Sequence, residues 1–264
     1  MKTIKNLVAL AAMAVACFSC SNDDGGAPTG TGNLGIEFDN AFKNNDLVLG
    51  SPGNITSLGE SLTISNVKYI ISNIVLTKED GSTFTYPKSD SYFIVDESDE
   101  NTHVLELESI PAGNYNKVTF GVGVDESQYN LGESAQGGFL SVATAAGMLP
   151  DWPNGFTSLS MAGQFTSPTV SATTDFLVKT GKTPNQYNYT EVTLDLPTKA
   201  LVRTNITPEI HIVADVSKVI DGNNKIALSE HINSGSVTIT DGSLINQMVA
   251  NFPQMFSVAH VHND

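Results

Sequence analysis

Basic residues are scarce in this chain. It has 13 Lys and Arg against 28 Asp and Glu, a formal net charge of −15. Nucleic acids and anionic membrane surfaces are bound through basic side chains, so this composition argues against both as ligands. Only 16% of the residues are charged, whereas 40% are hydrophobic. A polar, weakly charged composition with enough apolar residues for a core is typical of extracellular β-proteins.

Cysteine is nearly absent as well. Cys17 and Cys20 are the two cysteines of the sequence, and both lie close to its N-terminus. Lys2 and Lys5 are followed by an apolar run from residue 7 to residue 18, and Cys17 lies inside this run and Cys20 just after it. That run is too short to span a bilayer and has the layout of a secretory signal peptide. We therefore expect no disulfide in the folded domain.

The segment around Cys20 resembles a bacterial lipoprotein signal, because FSC is followed at once by SNDDGG. In such signals the cysteine at the cleavage site receives the lipids, which predicts a signal peptide at 1–19 and lipidation of Cys20. The acidic SNDD also resembles the export tags of Bacteroidetes surface lipoproteins. The implied location is the outer membrane or cell surface, facing the periplasm or exported, with a lipid anchor in the membrane.

Residues 20–33 are rich in Gly, Asp, Thr and Pro and predict a flexible tether. Residues 34–264 contain no second linker of this kind and are predicted to form one domain. Alternating apolar and polar residues, separated by turn residues about every ten positions, predict an all-β fold, an antiparallel β-sandwich. The predicted strands lie in 34–38, 61–86 (two strands joined at Asp80-Gly81), 91–96, 103–110, 110–125, 191–196, 208–216 and 236–240.

Helical patterns are few. A short helix is expected within SQYNLGESAQGGFLSVATAAG, and SLINQMVANFPQMF (243–256) is the stronger candidate. Leu244, Met248 and Val249 share one face there, and Pro253 ends the pattern. We expect this helix to pack on the edge of a sheet.

No motif in the sequence supports an enzyme. There is no Gly-rich phosphate loop, no GxSxG and no HExxH, and the expected domain has no thiol. Acid pairs such as Asp96 and Glu97 lie in a polar segment with no reason for a raised pKa. The expectation is a protein that binds rather than one that catalyses.

The histidines offer the clearest chemical signal. His260 and His262 in AHVHND are two residues apart, so an extended strand directs both to one side. Alternation in PEIHIVADV places His211 and Asp215 on one face. If the C-terminal segment pairs near that strand, His211, His260 and His262 form a site suited to zinc, copper or iron. The alternative is that one histidine packs or caps and the terminus frays.

The single tryptophan, Trp152, lies in GMLPDWPNGF (147–156), where prolines, Asn and Gly indicate a loop. A lone tryptophan is most often a packing anchor. The alternative is that Trp152 belongs to a functional site.

Four phrases together resemble the MbnP-like family, named for a periplasmic copper-binding protein that works with a di-haem enzyme. They occur in the family's order in 66–76, 110–125 and 147–156. The matching positions are Tyr69, Ser72 and Asn73; Pro111, Gly113 and Tyr115; Gly123, Val124 and Asp125; and Met148, Trp152, Gly155 and Phe156.

The resemblance implies a β-sandwich, copper as cofactor, a di-haem peroxidase-like partner enzyme, and a tryptophan oxidised to kynurenine beside the metal. The last of these motifs has the family pattern M-x-W-x-W-x-x-G-[YF]. Trp152 takes its second tryptophan position, and the first is replaced, since Met148-Leu149-Pro150 has no tryptophan. Copper-binding relatives carry histidines where this chain has Asn130 and Lys179. The expected function is a lipid-anchored envelope protein that binds a metal ion, copper first. The alternative is a metal-free surface module for a glycan, peptide or partner protein.

Overall fold

The computed structural model describes residues 28–152, 154–240 and 242–264. The predicted signal peptide, most of the tether and the lipidation site Cys20 lie outside these ranges. Among the described residues, no helix is long and apolar enough to cross a membrane.

In the described residues, the few short helices are outweighed by fifteen strands. They are β1 (Thr31–Phe42), β2 (Asn45–Asp46), β3 (Asn54–Ile55), β4 (Ser61–Lys78), β5 (Thr83–Thr85), β6 (Tyr92–Asp96), β7 (Val104–Pro111), β8 (Gly113–Val122), β9 (Thr157–Thr166), β10 (Thr174–Gly181), β11 (Thr190–Val202), β12 (Pro208–Asp215), β13 (Ile232–Asn233), β14 (Ser236–Ile239) and β15 (Phe256–Asn263). The α-helices are α1 (Glu126–Tyr129), α2 (Phe139–Ala145), α3 (Lys218–Asp221) and α4 (Ser243–Asn251). Short 3₁₀ helices span Lys88–Asp90, Glu100–Thr102, Glu133–Ala135, Leu228–His231 and Phe252–Gln254.

The strands form two sheets. A five-stranded sheet has the order β15-β12-β1-β2, with β7 also paired to β1. A ten-stranded sheet has the order β11-β8-β4-β9-β10-β14-β13, with β3, β5 and β6 added along the long strand β4. The pairs β1–β12 and β10–β14 are parallel and the other pairs are antiparallel. The fold is an all-β sandwich, as the alternation predicted.

Aromatic rings from both sheets fill the centre of the sandwich. Phe38 and Phe256 come from the five-stranded sheet, and Tyr69 and Phe120 from the ten-stranded sheet. The Phe256 ring lies 5.1 Å from Phe120 and 6.0 Å from Phe38, both edge-to-face. Such pairs add to the free energy gained by burying apolar area. The C-terminal strand is therefore part of the core through its first residue.

The sequence located most of the elements. Gly81 has φ +82° in the β4–β5 turn, as the Asp-Gly pair requires. The predicted C-terminal helix is α4, which ends at Asn251 and is followed by the 3₁₀ turn that contains Pro253. It packs against α3 and β10. The short helix expected further upstream is α2.

Several features differ from expectation. β1 begins at Thr31, inside the predicted tether, and pairs with the end of β7. Gly32 is required there because a Cβ would lie 2.1 Å from the Arg203 carbonyl oxygen, so this glycine serves a close approach and not flexibility. The predicted strands omit β9 and β10, although Ser158, Leu159, Ser160 and Met161 of β9 alternate between polar and apolar residues; all four are buried.

Candidate metal centre

The pairing of β12 with β15 brings three histidines together. His211 lies directly opposite His260, and Glu209 lies directly opposite His262. The ring of His211 stacks on that of His260 with centroids 4.3 Å apart. The His262 ring lies 4.6 Å from His260 and 5.0 Å from His211. The cluster of His211, His260 and His262 is called the histidine face below.

The histidine face points away from the core. Along β12, Ile210, Ile212 and Ala214 are buried, while His211 lies between them on the outer side, partly exposed. This is the alternation expected from PEIHIVADV. His260 and His262 are both exposed. The three rings therefore contribute little to the hydrophobic core.

A β-bulge precedes the two C-terminal histidines. The β12–β15 register shifts between His211 and Ile212, so that Ala259 is an extra residue between Val258, opposite Ile212, and His260, opposite His211. Bulges increase local twist and re-aim side chains. Here the bulge lies at the point where β15 passes from the core residues to the histidines.

Contacts at both ends hold β15 in place. Phe256 is buried in the aromatic core. At the other end, the Asn263 side chain accepts a hydrogen bond from Leu201 N at 2.7 Å and donates one to the Lys199 carbonyl oxygen at 3.0 Å. The histidine face is therefore carried by a strand that is fixed to both sheets.

Carboxylates surround His211. The Glu37 carboxylate is in ion-pair contact with Nδ1, and Asp39 Oδ2 lies 3.8 Å from the same nitrogen. Glu209 Oε1 lies 2.9 Å from Nε2. Nε2 is buried and has no hydrogen-bond partner, because the short approach of Glu209 does not have hydrogen-bond geometry.

The donor set fits a metal ion. The ligand atoms of His211, His260 and His262 all lie within 4.8 Å of one another, as do those of Glu37, Glu209 and His211. Zinc–nitrogen bonds are about 2.0–2.1 Å, so three ligands of one ion are about 3–3.5 Å apart. The limit of 4.8 Å exceeds this spacing, so the exposed His260 and His262 rings would have to turn toward a bound ion.

Trp152 lies elsewhere, in the loop before β9 of the ten-stranded sheet. Its ring packs 4.7 Å from Tyr129 and 6.2 Å from Phe156. It is half-buried and covers a small apolar cluster separate from the main core, made of Ile70, Val124, Ala143, Met148, Leu149 and Phe156. This surrounding is that of a packing residue, and the region is called the tryptophan end below.

A cavity of 360 Å³ opens at the tryptophan end, lined by Gly155, Phe156 and Lys179 among others. Asn130 is exposed at the end of α1. All five histidines of the sequence lie in the described ranges, and none of them lines this cavity. The histidines that the resemblance implies at Asn130 and Lys179 are therefore not replaced by a histidine from another part of the chain in this cavity.

The remaining motif residues form a hydrogen-bonded hub. Asn73, which has φ +52°, donates from Nδ2 to Asp125 Oδ2 and to the Tyr189 hydroxyl, each at 2.9 Å. Asp125 also caps α1 by accepting from Gln128 N at 3.0 Å. Burial alone would raise the pKa of Asp125, but hydrogen bonds from Ser127, Asn73 and Lys88 outweigh it and hold the pKa well below the usual value.

Tyr69 and Met148 are both core residues. The Tyr69 hydroxyl donates to Asn40 Oδ1 at 2.9 Å, and burial raises the pKa of Tyr69 well above its usual value. Met148 is 1% exposed in the apolar cluster under Trp152. These positions have visible structural roles.

The other two histidines stand apart. His103 Nε2 lies 3.2 Å from the Asp96 carbonyl oxygen and 3.8 Å from the Glu97 carboxylate. His231 ends a 3₁₀ helix. Neither belongs to a group of metal-type ligands in the described part of the chain.

Sequence reasoning missed Glu37 and Glu209 as neighbours of the histidines. Both lie at outward positions of alternating strands, LGIEF and PEIHI, which was the available signal. The pairing register of β1, β12 and β15 could not be derived from the sequence, because Glu37, His211 and His260 lie on three different strands.

The structure thus defines a β-sandwich with a histidine and carboxylate cluster on its five-stranded sheet. The MbnP family model matches residues 31–240, and the chain belongs to this family. His260 and His262 follow the matched range. The solved structure of MbnP from Methylosinus trichosporium is similar, with a TM-score of 0.49 and 12% identity over 88% of this chain and 99% of that chain. No curated protein matches the chain.

Proposed function

We propose that this chain is a lipid-anchored envelope protein of the MbnP family that binds one transition-metal ion through His211, His260 and His262. The observation that carries the proposal is the direct pairing of His211 with His260 in the β12–β15 register. One nitrogen from each of these three imidazoles, which belong to two strands, lies within 4.8 Å of the other two.

The chemical setting favours a cation over a purely structural cluster. Nonpolar packing does not explain the rings, since His260 and His262 are exposed. The carboxylates of Glu37 and Glu209 add negative charge beside them, and the chain as a whole has a net charge of −15. An acidic field raises the local concentration of cations.

Copper is the first ion to consider, because the family resemblance implies it and imidazole suits it. Zinc is the second, because three histidines are one of its common ligand sets. The lipid anchor at Cys20, the location at the outer membrane or cell surface, and a di-haem partner enzyme complete the proposal. They rest on the signal-like N-terminus and the family resemblance.

The test is metal analysis of the protein purified from its own envelope, followed by titration of the metal-free protein with Cu⁺, Cu²⁺ and Zn²⁺. We expect one equivalent of metal, and a loss of affinity of more than about 100-fold in the His260→Ala, His262→Ala double variant, since loss of even an outer-shell partner costs about 10–100-fold. The matched control is His231→Ala, which should bind as the native protein does.

Unchanged binding in the double variant would overturn the histidine site. A mass measurement on the Trp152 peptide from the same preparation tests the separate prediction of tryptophan oxidation. Copper with an oxidised Trp152, retained in the double variant, would place the ion at the tryptophan end instead.

One observation favours a second candidate, a metal-free binding module. A polar cavity of 560 Å³ adjoins the histidine face and is lined by Asp39, Asn40, Lys43, Asp215 and Lys218 among others. This volume is in the range of small-ligand sites. Protein that takes up none of the three ions but binds immobilised glycans would support the module.

A further inference from the structure

The buried Nε2 of His211 is the starting point. It has no hydrogen-bond partner, although leaving a buried polar atom unsatisfied destabilises the folded protein. Its other nitrogen, Nδ1, is in ion-pair contact with the Glu37 carboxylate. A carboxylate on one ring nitrogen of a histidine is the usual arrangement when the other nitrogen binds a metal. Nε2 is thus the nitrogen of His211 that is available as a ligand.

The nearest oxygen to this nitrogen is placed as a second ligand would be. Glu209 Oε1 lies 2.9 Å from Nε2 without hydrogen-bond geometry. Two ligands with bonds of about 2.0–2.2 Å to one ion are about 3–3.5 Å apart, and 2.9 Å is near the lower end of that range. In the β12–β15 pairing Glu209 also lies directly opposite His262. Glu209 is therefore close to His211 through its Oε1 and is the cross-strand neighbour of His262.

A glycine makes room for this carboxylate. Gly35 of β1 is the cross-strand neighbour of Glu209. A Cβ at position 35 would lie 3.1 Å from both Cγ and Oε2 of Glu209, closer than ordinary contact. The Glu209 side chain therefore lies over β1 at Gly35, the one glycine among the β1 residues paired with β12, where no side chain stands in its way.

We infer that Glu209 is the fourth ligand of the site and that Glu37 is a positioning residue for His211, so that the site selects divalent Zn²⁺ or Cu²⁺ over Cu⁺. The inference rests on the metal site proposed above. Carboxylate oxygen is a hard ligand that suits divalent ions, whereas Cu⁺ prefers soft sulfur and imidazole ligands. Three imidazoles and one carboxylate fill a tetrahedral zinc site, and a site with four protein ligands is a structural or storage site.

The experiment compares the Glu209→Gln variant with the native protein in chelator competition with Zn²⁺, Cu²⁺ and Cu⁺. We expect the native protein to bind both divalent ions at least tenfold more tightly than Cu⁺. Glu209→Gln should lose about 10–100-fold in affinity for Zn²⁺ and Cu²⁺, with less than about threefold change for Cu⁺. The matched control is Glu106→Gln, an exposed acid paired with Gly35 from the opposite side.

Two more variants separate the roles. Glu37→Gln should weaken all three ions, because it acts through the orientation of His211. Gly35→Ala should weaken only the divalent ions, because it displaces Glu209. Cobalt(II) absorption gives a readout of coordination: the intense visible bands of a four-coordinate site should shift in Glu209→Gln and stay unchanged in Glu106→Gln.

The outcomes distinguish this inference from the proposed function. Divalent binding by Glu209→Gln equal to that of the native protein, or a native preference for Cu⁺, would overturn the inference and leave the three-histidine site standing. Native protein that binds no ion, or a His260→Ala, His262→Ala variant that binds normally, would overturn the proposed function itself.

Discussion

The histidine face and the tryptophan end hold different kinds of residues. At the tryptophan end, Trp152, Met148 and Asp125 all have packing or hydrogen-bond partners that account for them. On the histidine face, His260 and His262 are exposed, and Nε2 of His211 has no hydrogen-bond partner. Residues with a complete structural role give little evidence of a ligand. Clustered metal-type ligands without such a role are the better pointer to one.

The comparison also separates family from individual chain. The motif residues at the tryptophan end lie within the range matched by the family model, whereas His260 and His262 follow it. The family match therefore covers the motif residues and also His211, but not the two C-terminal histidines. The chemistry proposed for this chain depends on all three histidines.

The largest expected effect on stability comes from removing the Phe256 ring, which packs the strand of the histidine face into the aromatic core. Phe256→Ala should lower the free energy of unfolding by about 3–5 kcal/mol, because Phe256 is a buried aromatic residue. Urea denaturation followed by circular dichroism measures the change. Val48→Ala, at a side chain that is 58% exposed, is the control and should have almost no effect.

Metal binding by the same variant sharpens the comparison. With β15 loosened from the aromatic core, we expect affinity at the histidine face to fall along with stability. Full affinity in a strongly destabilised Phe256→Ala protein would mean that the metal is bound away from β15.

A smaller effect is expected at the hydrogen-bonded hub. Asp125→Asn should lower the free energy of unfolding by about 1–3 kcal/mol, because it weakens several hydrogen bonds to a charged group. Since the pKa of Asp125 is lowered on folding, its ionised form contributes stability above the unfolded-state pKa of about 3.9. That contribution is lost as the pH falls through this value toward the lower folded-state pKa.

Denaturation curves from pH 7 down to pH 2 measure this dependence. The acid-induced loss of stability should be shallower in Asp125→Asn than in the native protein. Asp46→Asn, at an exposed strand position, serves as the control. Identical pH profiles for Asp125→Asn and the native protein would show that the hub does not depend on the charge of Asp125.

The smallest expected effect tests whether the two regions are independent. Trp152→Phe keeps an aromatic ring at a half-buried site and should lower the free energy of unfolding by about 1 kcal/mol. Because the described contacts of Trp152 are with the ten-stranded sheet and its helices, metal affinity at the histidine face should change less than twofold. A calorimetric titration with Zn²⁺ checks this. A parallel loss of metal affinity would join the two regions into one site.

The sequence was a good guide wherever the signal was local. Alternation placed His211 on the outer face of β12, and the spacing of His260 and His262 placed both on one side of β15. The Asp80-Gly81 turn and α4 followed from short-range rules as well.

Non-local features were beyond its reach. The register that places Glu37 beside His211, and the bulge at Ala259, depend on which strands pair. The omission of β9 is different, because Ser158, Leu159, Ser160 and Met161 do alternate and this local signal was missed. The unsatisfied Nε2 of His211 and the space over Gly35 arise only when β1, β12 and β15 have paired.

The strand order of the five-stranded sheet has a consequence for timing. Glu37 is on β1, whereas the histidines are on β12 and β15, at the other end of the described chain. Such contacts close a very long loop, and we expect them to form late because the entropy of closure must be overcome first. A chain that crosses a membrane unfolded would carry its histidines as separate, weak ligands. The complete site would come into being only after folding at the destination, so any metal it binds would be taken up there.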